Sequence, residues 1–339
     1  MRHHWRPARL DRRPTAGFGP VVVVAFVAAV VLLAVTVPAE VRSSAAPRSA
    51  VPTVHGTHPK TTGAPVEFVA STSSQLDGVP VSAGWVGNGE RVRSGALERF
   101  YVIVRPAGTA TGPLPVLVVL PGREMTAAGI ARVTDFPPVA GRAVLIYPEG
   151  YGRSWNAGGC CGLAYDAGVD DTAFLAAVVH QVLAAVPGTS ARAVYLAGFS
   201  NGGRMAYRMA CADPGLFAGV AAVEAVPVVG CEGPHPVSIA IVAYQDDPLL
   251  SISAAQPAKV IDGFVEPRVD DEVALWRQLD GCTGQPTVQQ TGTVTVTEWT
   301  ACRDKTRVQY DLYAGGRHLW PRGAAATPSA TELVWGFFR

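Results

Sequence analysis

The sequence predicts an α/β fold, with a mostly parallel central sheet, helices packed on both faces and no large lid domain. Three observations carry this. Apolar β-prone runs alternate along the chain with segments of helical period, the pattern of strands joined by crossover helices. Residues 115–120 and 143–147 are continuous apolar runs, as expected of strands buried on both faces of a parallel sheet. Residues 193–199 form a third such run, which passes through Gly198-Phe199-Ser200-Asn201-Gly202 directly into a helical pattern.

Taken in order, residues 67–96 are rich in Gly and Ser with short apolar pieces and read as edge strands or loops, and regular structure is expected from near Leu97. Residues 100–104, β-branched and aromatic, read as a strand. The 115–120 strand ends at Pro121-Gly122-Arg123, and the 143–147 strand at Pro148-Glu149-Gly150. A helix follows over about 170–186. Phe174, Leu175, Val178, Val179 and Val182 recur at helical spacing, and Asp170 or Asp171 is the N-cap. After the serine turn and its helix come an apolar piece at 217–226 and a strand at 237–243 ending in Gln245-Asp246-Asp247-Pro248. Residues 269–279 read as a helix. Residues 293–297 alternate as an antiparallel strand does, and 308–313 form the last strand, before Gly315-Gly316-Arg317-His318. A final helix is expected from Thr327, patterned by Thr331, Leu333, Val334 and Phe337. No internal repeat is present.

The N-terminus reads as an address. Arg2, Arg6, Arg9, Arg12 and Arg13 stand against Asp11 alone, and residues 21–37 carry no charge. A basic segment before an apolar core is an export signal, and Val37-Pro38-Ala39 offers small residues for cleavage. The core is long for a cleaved signal and just long enough to span a bilayer. Residues 1–39 are therefore expected to be a signal peptide or an N-terminal membrane anchor through 21–37. Either way the rest is exported, secreted or held facing the extracellular side. Residues 40–66, a mixture of Ser, Thr, Ala, Pro and His, read as a disordered tether, and 67–339 as one α/β domain. The 28 Lys and Arg balance 27 Asp and Glu; without residues 1–39, which hold five and one of these, the counts are 23 and 26, a net of −3. No basic stripe suggests nucleic acid.

All six cysteines, Cys160, Cys161, Cys211, Cys231, Cys282 and Cys302, lie in the exported part, where an even count points to disulfides. Their spacing is not that of a zinc site, so no metal is expected. Cys282 and Cys302 flank a compact segment and are the preferred pair. Cys160 and Cys161 are adjacent and would be strained if bonded together, which leaves Cys211 and Cys231 as their expected partners.

The strand, sharp turn and helix around Ser200 have the form of a nucleophile elbow, the signature of the α/β-hydrolase fold. Serine is a weak nucleophile until a base takes its proton and an acid fixes the base's tautomer. In that fold the chain order is Ser, acid, His. His3 and His4 precede the signal core, His55 and His58 lie in the tether, and His180 is mid-helix and upstream. His235 sits at the wrong end of a buried strand. His318 alone follows a late strand on a Gly-rich loop and is the expected base. Asp246 and Asp247 both follow the 237–243 strand, where the acid belongs. The oxyanion donors are expected to be the main-chain N–H groups of Asn201 and Arg123.

From about Ser94 onward, the sequence resembles the secreted polyhydroxybutyrate depolymerase and feruloyl esterase group, close to carbohydrate esterase family 1. The resemblance rests on Ser154-Trp155-Asn156-Ala157-Gly158-Gly159-Cys160-Cys161-Gly162 followed by Val169-Asp170-Asp171, on Ser200 to Cys211, and on Gly315-Gly316-Arg317-His318-Leu319-Trp320-Pro321-Arg322-Gly323. It implies that Asp247 rather than Asp246 is the acid, and that Trp155 and Trp320 line the substrate cleft. Two motifs depart from the group's pattern: its His-Gly before the acid is Ala243-Tyr244 here, and its His-Gly of the oxyanion loop is Pro121-Gly122.

The expectation is a serine carboxylic ester hydrolase working through an acyl-enzyme, as a monomer, without metal or cofactor. Its substrates would be polyhydroxyalkanoate-type esters or acyl and feruloyl esters of polysaccharide. The alternative is a catalytically weak or inactive hydrolase-fold protein that binds at a surface. A third reading, a serine peptidase on the same fold, lacks the added propeller domain such enzymes carry.

Overall fold

Ten of the strands form one sheet, and its central strands are apolar enough to be covered on both sides. The computed structural model describes residues 75–108, 112–231, 236–261 and 264–339, which form one compact unit. The expected signal or anchor (1–39), the tether (40–66) and His235 lie outside the described residues.

The described chain opens with a two-residue pair, β1 (Gln75–Leu76) and β2 (Val79–Pro80), then a long hairpin, β3 (Trp85–Ser94) and β4 (Leu97–Pro106). β5 (Leu114–Leu120), α1 (Ala127–Thr134), α2 (Pro137–Ala140), β6 (Val144–Pro148), α3 (Gly162–Asp166) and α4 (Asp171–Ala185) follow. Next are β7 (Thr189–Phe199), α5 (Asn201–Ala212), β8 (Gly219–Val223) and β9 (Ser238–Tyr244). A short pair, β10 (Val260–Ile261) and β11 (Phe264–Val265), precedes α6 (Val269–Leu279), and β12 (Thr287–Thr291), β13 (Val294–Trp299), β14 (Val308–Tyr313) and α7 (Ala330–Phe337) complete the chain.

The sheet order is β12-β13-β14-β9-β8-β7-β5-β6-β4-β3. From β14 to β6 neighbours are parallel. Antiparallel strands extend both edges. This is the α/β-hydrolase architecture. Side chains alternate between two cores, since successive strand residues point to opposite faces. Val116, Val118 and Leu120 of β5 join one core with α4, α5 and α6, whereas Leu117 and Val119 join the other with α1 and α7.

Several elements differ from the sequence reading. Regular structure begins before Leu97, because β3 pairs with β4 along its whole length. The segment between Glu124 and Arg142, for which no element is expected, holds α1, capped by the Thr126 hydroxyl on the Gly129 N–H, and α2. β12 is exposed throughout and polar but for Val288, and exists through its pairing with β13. The last helix starts at Ala330 instead of Thr327. Pro328 disfavours helical backbone at Thr327, and Ser329 with Glu332 makes a capping box.

Candidate active site

The elbow is dictated by crowding. Ser200 caps α5 with φ +52° and ψ −119°, a backbone that costs an L-residue about 1–3 kcal/mol. It is held there by two backbone bonds, its N–H to Val223 O (2.9 Å) and its carbonyl from the Arg204 N–H (2.9 Å). A Cβ at Gly198 would drive into the Gly202 carbonyl. One at Gly202 would lie 2.5 Å from both the Leu120 and Pro121 carbonyl oxygens. The two glycines are thus required by close approach.

The chain's reactive side chains leave the C-terminal ends of three parallel strands of the sheet, two of them adjacent and the third one strand away. Ser200 follows β7, Asp247 follows β9 and His318 follows β14. The imidazole bridges the other two: Nε2 is 2.7 Å from Ser200 Oγ and Nδ1 is 2.6 Å from Asp247 Oδ2. With Nδ1–H donated to the carboxylate, Nε2 is the acceptor facing the hydroxyl, the tautomer a general base needs. Asp247 Oδ1 also accepts the Leu249 N–H at 2.6 Å. Burial pushes the Asp247 carboxyl up, but the His318 imidazole and the Leu249 N–H, with the Glu224 carboxyl close by, hold it below the usual carboxylate range. Asp246, the other candidate acid, is exposed. Among the described residues, Glu224, Asp247 and His318 are the one group whose ligand-type atoms lie within 4.8 Å of one another. Both imidazole nitrogens are already engaged in hydrogen bonds, so the cluster is built to hold protons.

A pocket of about 250 Å³ opens beside Ser200 and His318, lined also by Arg123, Asn201, Arg204 and Leu249. Asn201 begins α5, so its N–H has no partner within the helix.

The two tryptophans do not line this pocket, contrary to the expectation for Trp155 and Trp320. Trp155 is 0 % exposed, stacks on Phe174 and donates its Nε1–H to Pro121 O at 2.9 Å. Trp320 is 2 % exposed, meets Phe136 edge-on and donates to Thr331 Oγ1 at 3.0 Å. Their large apolar surfaces are spent on core packing, with each indole N–H satisfied internally. Trp155 still supports the site through its main chain. Its N–H donates to Asn201 Oδ1 (2.8 Å), and its carbonyl accepts from Asn201 Nδ2 (3.0 Å).

The cysteine expectations are half corrected. Cys282 and Cys302 pair as expected. Cys211 pairs with Cys231, and Cys160 with Cys161, across a cis peptide. The end of α5 and the loop after β8 bring Cys211 and Cys231 to a Cα separation of 5.3 Å, within normal bridging range, which leaves the adjacent cysteines only each other. Cys161 lines the pocket. Arg204 holds the pair with Nη1, 3.2 Å from Cys160 Sγ, and is itself paired with buried Glu266.

Sequence reasoning did not find Glu224, the Arg204–Glu266 pair or the side-chain role of Asn201. A signal existed for Glu224. It is a lone carboxylate inside the apolar 217–226 run, and a charge in such a run must be paired or protonated.

No family model matches the chain. In sequence it is similar to a "Probable feruloyl esterase C" of Aspergillus terreus, 28% identical over 201 residues, which are 58% of this chain and 65% of that protein. It is also similar to feruloyl esterase C of Emericella nidulans, at 26% over 204 residues and the same coverage. The chain therefore spans about 65% of the length of these curated relatives. In structure it is similar to the acetyl xylan esterase of Aspergillus awamori, with a TM-score of 0.53 at 14% identity, covering 74% of this chain and 98% of that one. That likeness is one of fold.

Proposed function

We propose that the chain is an exported serine esterase that hydrolyses acyl or feruloyl esters of polysaccharide, or polyhydroxyalkanoate-type esters, through an acyl-enzyme. One observation carries the esterase reading: a single imidazole within hydrogen-bond reach of both a strained serine at an elbow and a buried carboxylate. Ser200 Oγ attacks the ester carbonyl as His318 Nε2 takes its proton. Asp247 holds the imidazole by Nδ1 and stabilises the charge it acquires. The oxyanion accepts the N–H groups of Asn201 and Arg123. His318 returns the proton to the leaving alcohol, then activates the water that releases the acid.

The substrate class is supported by the feruloyl esterase relatives and by the site's surroundings. Leu249 and Leu250 line the pocket, and Leu249 is 40% exposed. Apolar side chains there suit an aromatic or polyester acyl chain. Three disulfides fit an exported protein.

The test is an ester panel of nitrophenyl acetate and butyrate, methyl ferulate and a short hydroxybutyrate oligomer, run on wild type and Ser200→Ala. Hydrolysis that disappears in Ser200→Ala, with fluorophosphonate labelling of wild type alone, is expected. No turnover and no labelling of wild type would end the esterase reading. A surface-binding protein would instead retain ligand in both forms.

A further inference from the structure

Glu224 is buried at the C-terminal end of β8, the strand between those that deliver Ser200 and Asp247. Its backbone is held at φ +50°, with its N–H on Val242 O at 2.8 Å, a conformation an L-residue adopts at a cost. The side chain is aimed at the site. Oε1 accepts the Tyr244 N–H at 2.8 Å, which leaves Oε2 buried with no partner by hydrogen-bond geometry. The carboxyl also lies in the cluster that holds Asp247 and His318 within 4.8 Å. The titratable groups facing it are Asp247 and His318 from their loops, Tyr244 at the end of β9, and Tyr310 and Tyr313 of β14. None but His318 can carry positive charge. Two carboxylates this close and this buried do not both ionise. Asp247 is the ionised one, because it already accepts the Leu249 N–H and the imidazole N–H.

We propose that Glu224 is a positioning residue of this site: in its acid form it donates a hydrogen bond from Oε2 to Asp247 and thereby sets the carboxylate that orients His318. Asp247 then accepts three donors, from Leu249, His318 and Glu224, and its rotation is fixed from three sides. Burial pushes the Glu224 carboxyl well above its usual range, and Asp247 pushes it further against the opposing Tyr244 N–H. The same glutamate ties the end of β8 to the end of β9, from which the acid loop leaves, through the Tyr244 N–H. The role in turnover rests on the esterase reading of this site; the proton and the hydrogen bond do not.

The test compares Glu224→Gln, which keeps a donor for Asp247 and an acceptor for Tyr244, with Glu224→Ala, which keeps neither. Three readouts are taken on the whole chain. Infrared difference spectra of wild type minus Glu224→Gln at neutral pH should show loss of a carboxylic-acid C=O band; loss of a carboxylate band instead overturns the proposal. The downfield Nδ1–H resonance of His318 should persist in Glu224→Gln and move or vanish in Glu224→Ala; an unmoved resonance in Glu224→Ala overturns it. With nitrophenyl butyrate or a fluorophosphonate, Glu224→Ala should lose about 10–100-fold in kcat or labelling rate with KM within about twofold, and Glu224→Gln should recover to within about threefold of wild type. Equal losses in both variants, with both folded by circular dichroism, point to packing alone and also overturn it. If wild type turns over no ester and takes no label, the esterase reading fails, and the infrared and resonance results still decide the role of Glu224.

Discussion

Replacing Asn201 with alanine tests how the elbow is braced. The Asn201 side chain is buried and makes two hydrogen bonds, both to the main chain of Trp155, at 2.8 and 3.0 Å. Trp155 has no exposed surface, so Asn201→Ala leaves an N–H and a carbonyl buried without partners. Each orphaned group costs about 1–3 kcal/mol. Asn201 borders the pocket, so water entering from that side offsets part of the loss, and a total of about 2–4 kcal/mol is expected. For a domain of this size each kcal/mol lowers Tm by about 2–4 °C, so the expected drop is roughly 5–15 °C. Thermal and urea denaturation measure it, with an unchanged urea slope showing that stability alone has moved. Asn201→Asp should do no better, because a second oxygen would face the Trp155 carbonyl. A Tm within about 2 °C of wild type for Asn201→Ala would refute the reasoning, since it would mean that water replaces both bonds at no cost.

Arg99 and Asp171 form a buried ion pair at 2.9 Å, Asp171 also accepts the Asn156 N–H at 2.7 Å, and Arg99 lies over the Phe174 ring. Asp171→Asn should cost about 3–5 kcal/mol in urea unfolding, and Arg99→Met with Asp171→Leu together should cost less than either single change. Removing Cys282 and Cys302, which close a loop of sequence separation 20, should cost about 3 kcal/mol by the same measurement. Stability should also fall with rising pH. Burial pushes Glu272, Asp280 and Asp311 up to about 7 each, Asp311 against the opposing Gln309 amide. Unfolded, these groups titrate near about 4, so between about 4 and 7 the folded state holds the extra protons. Their stabilising contribution is complete below about 4, is lost through about 7 and is level above it. Asp311→Asn should flatten the fall in Tm between pH 5 and pH 8; a slope equal to that of wild type would count against protonated Asp311.

The triad was legible because chain order left so few candidates. Six histidines were excluded by position, and a strand end pointed to the two adjacent aspartates. The buried sheet strands were legible too, since a strand covered on both faces must be apolar along its length. What was not legible depended on neighbours distant in sequence. β12 is a strand only because β13 pairs with it. The partner of Cys160 was decided by the geometry that brings Cys211 to Cys231. Trp155 sits in a motif suggestive of a cleft, yet its ring is claimed by Phe174 and Pro121. Glu224 could be flagged as a charge in an apolar run, but its link to Asp247 required knowing that β8 and β9 are neighbours.

The neighbouring order of β7, β8, β9 and β14 has an engineering consequence. Asp247 and His318 are 71 residues apart in sequence, and Ser200 and His318 are 118 apart. The excursion between β9 and β14 contains α6, the β12–β13 hairpin and a disulfide, yet the two side chains meet because parallel strands lie about 4.8 Å apart. The reactive geometry is indexed by rungs of the sheet and is indifferent to the length of chain between them. Inter-strand excursions can therefore be exchanged, shortened or replaced to change what the pocket admits, while the proton path between Ser200, His318 and Asp247 stays in register.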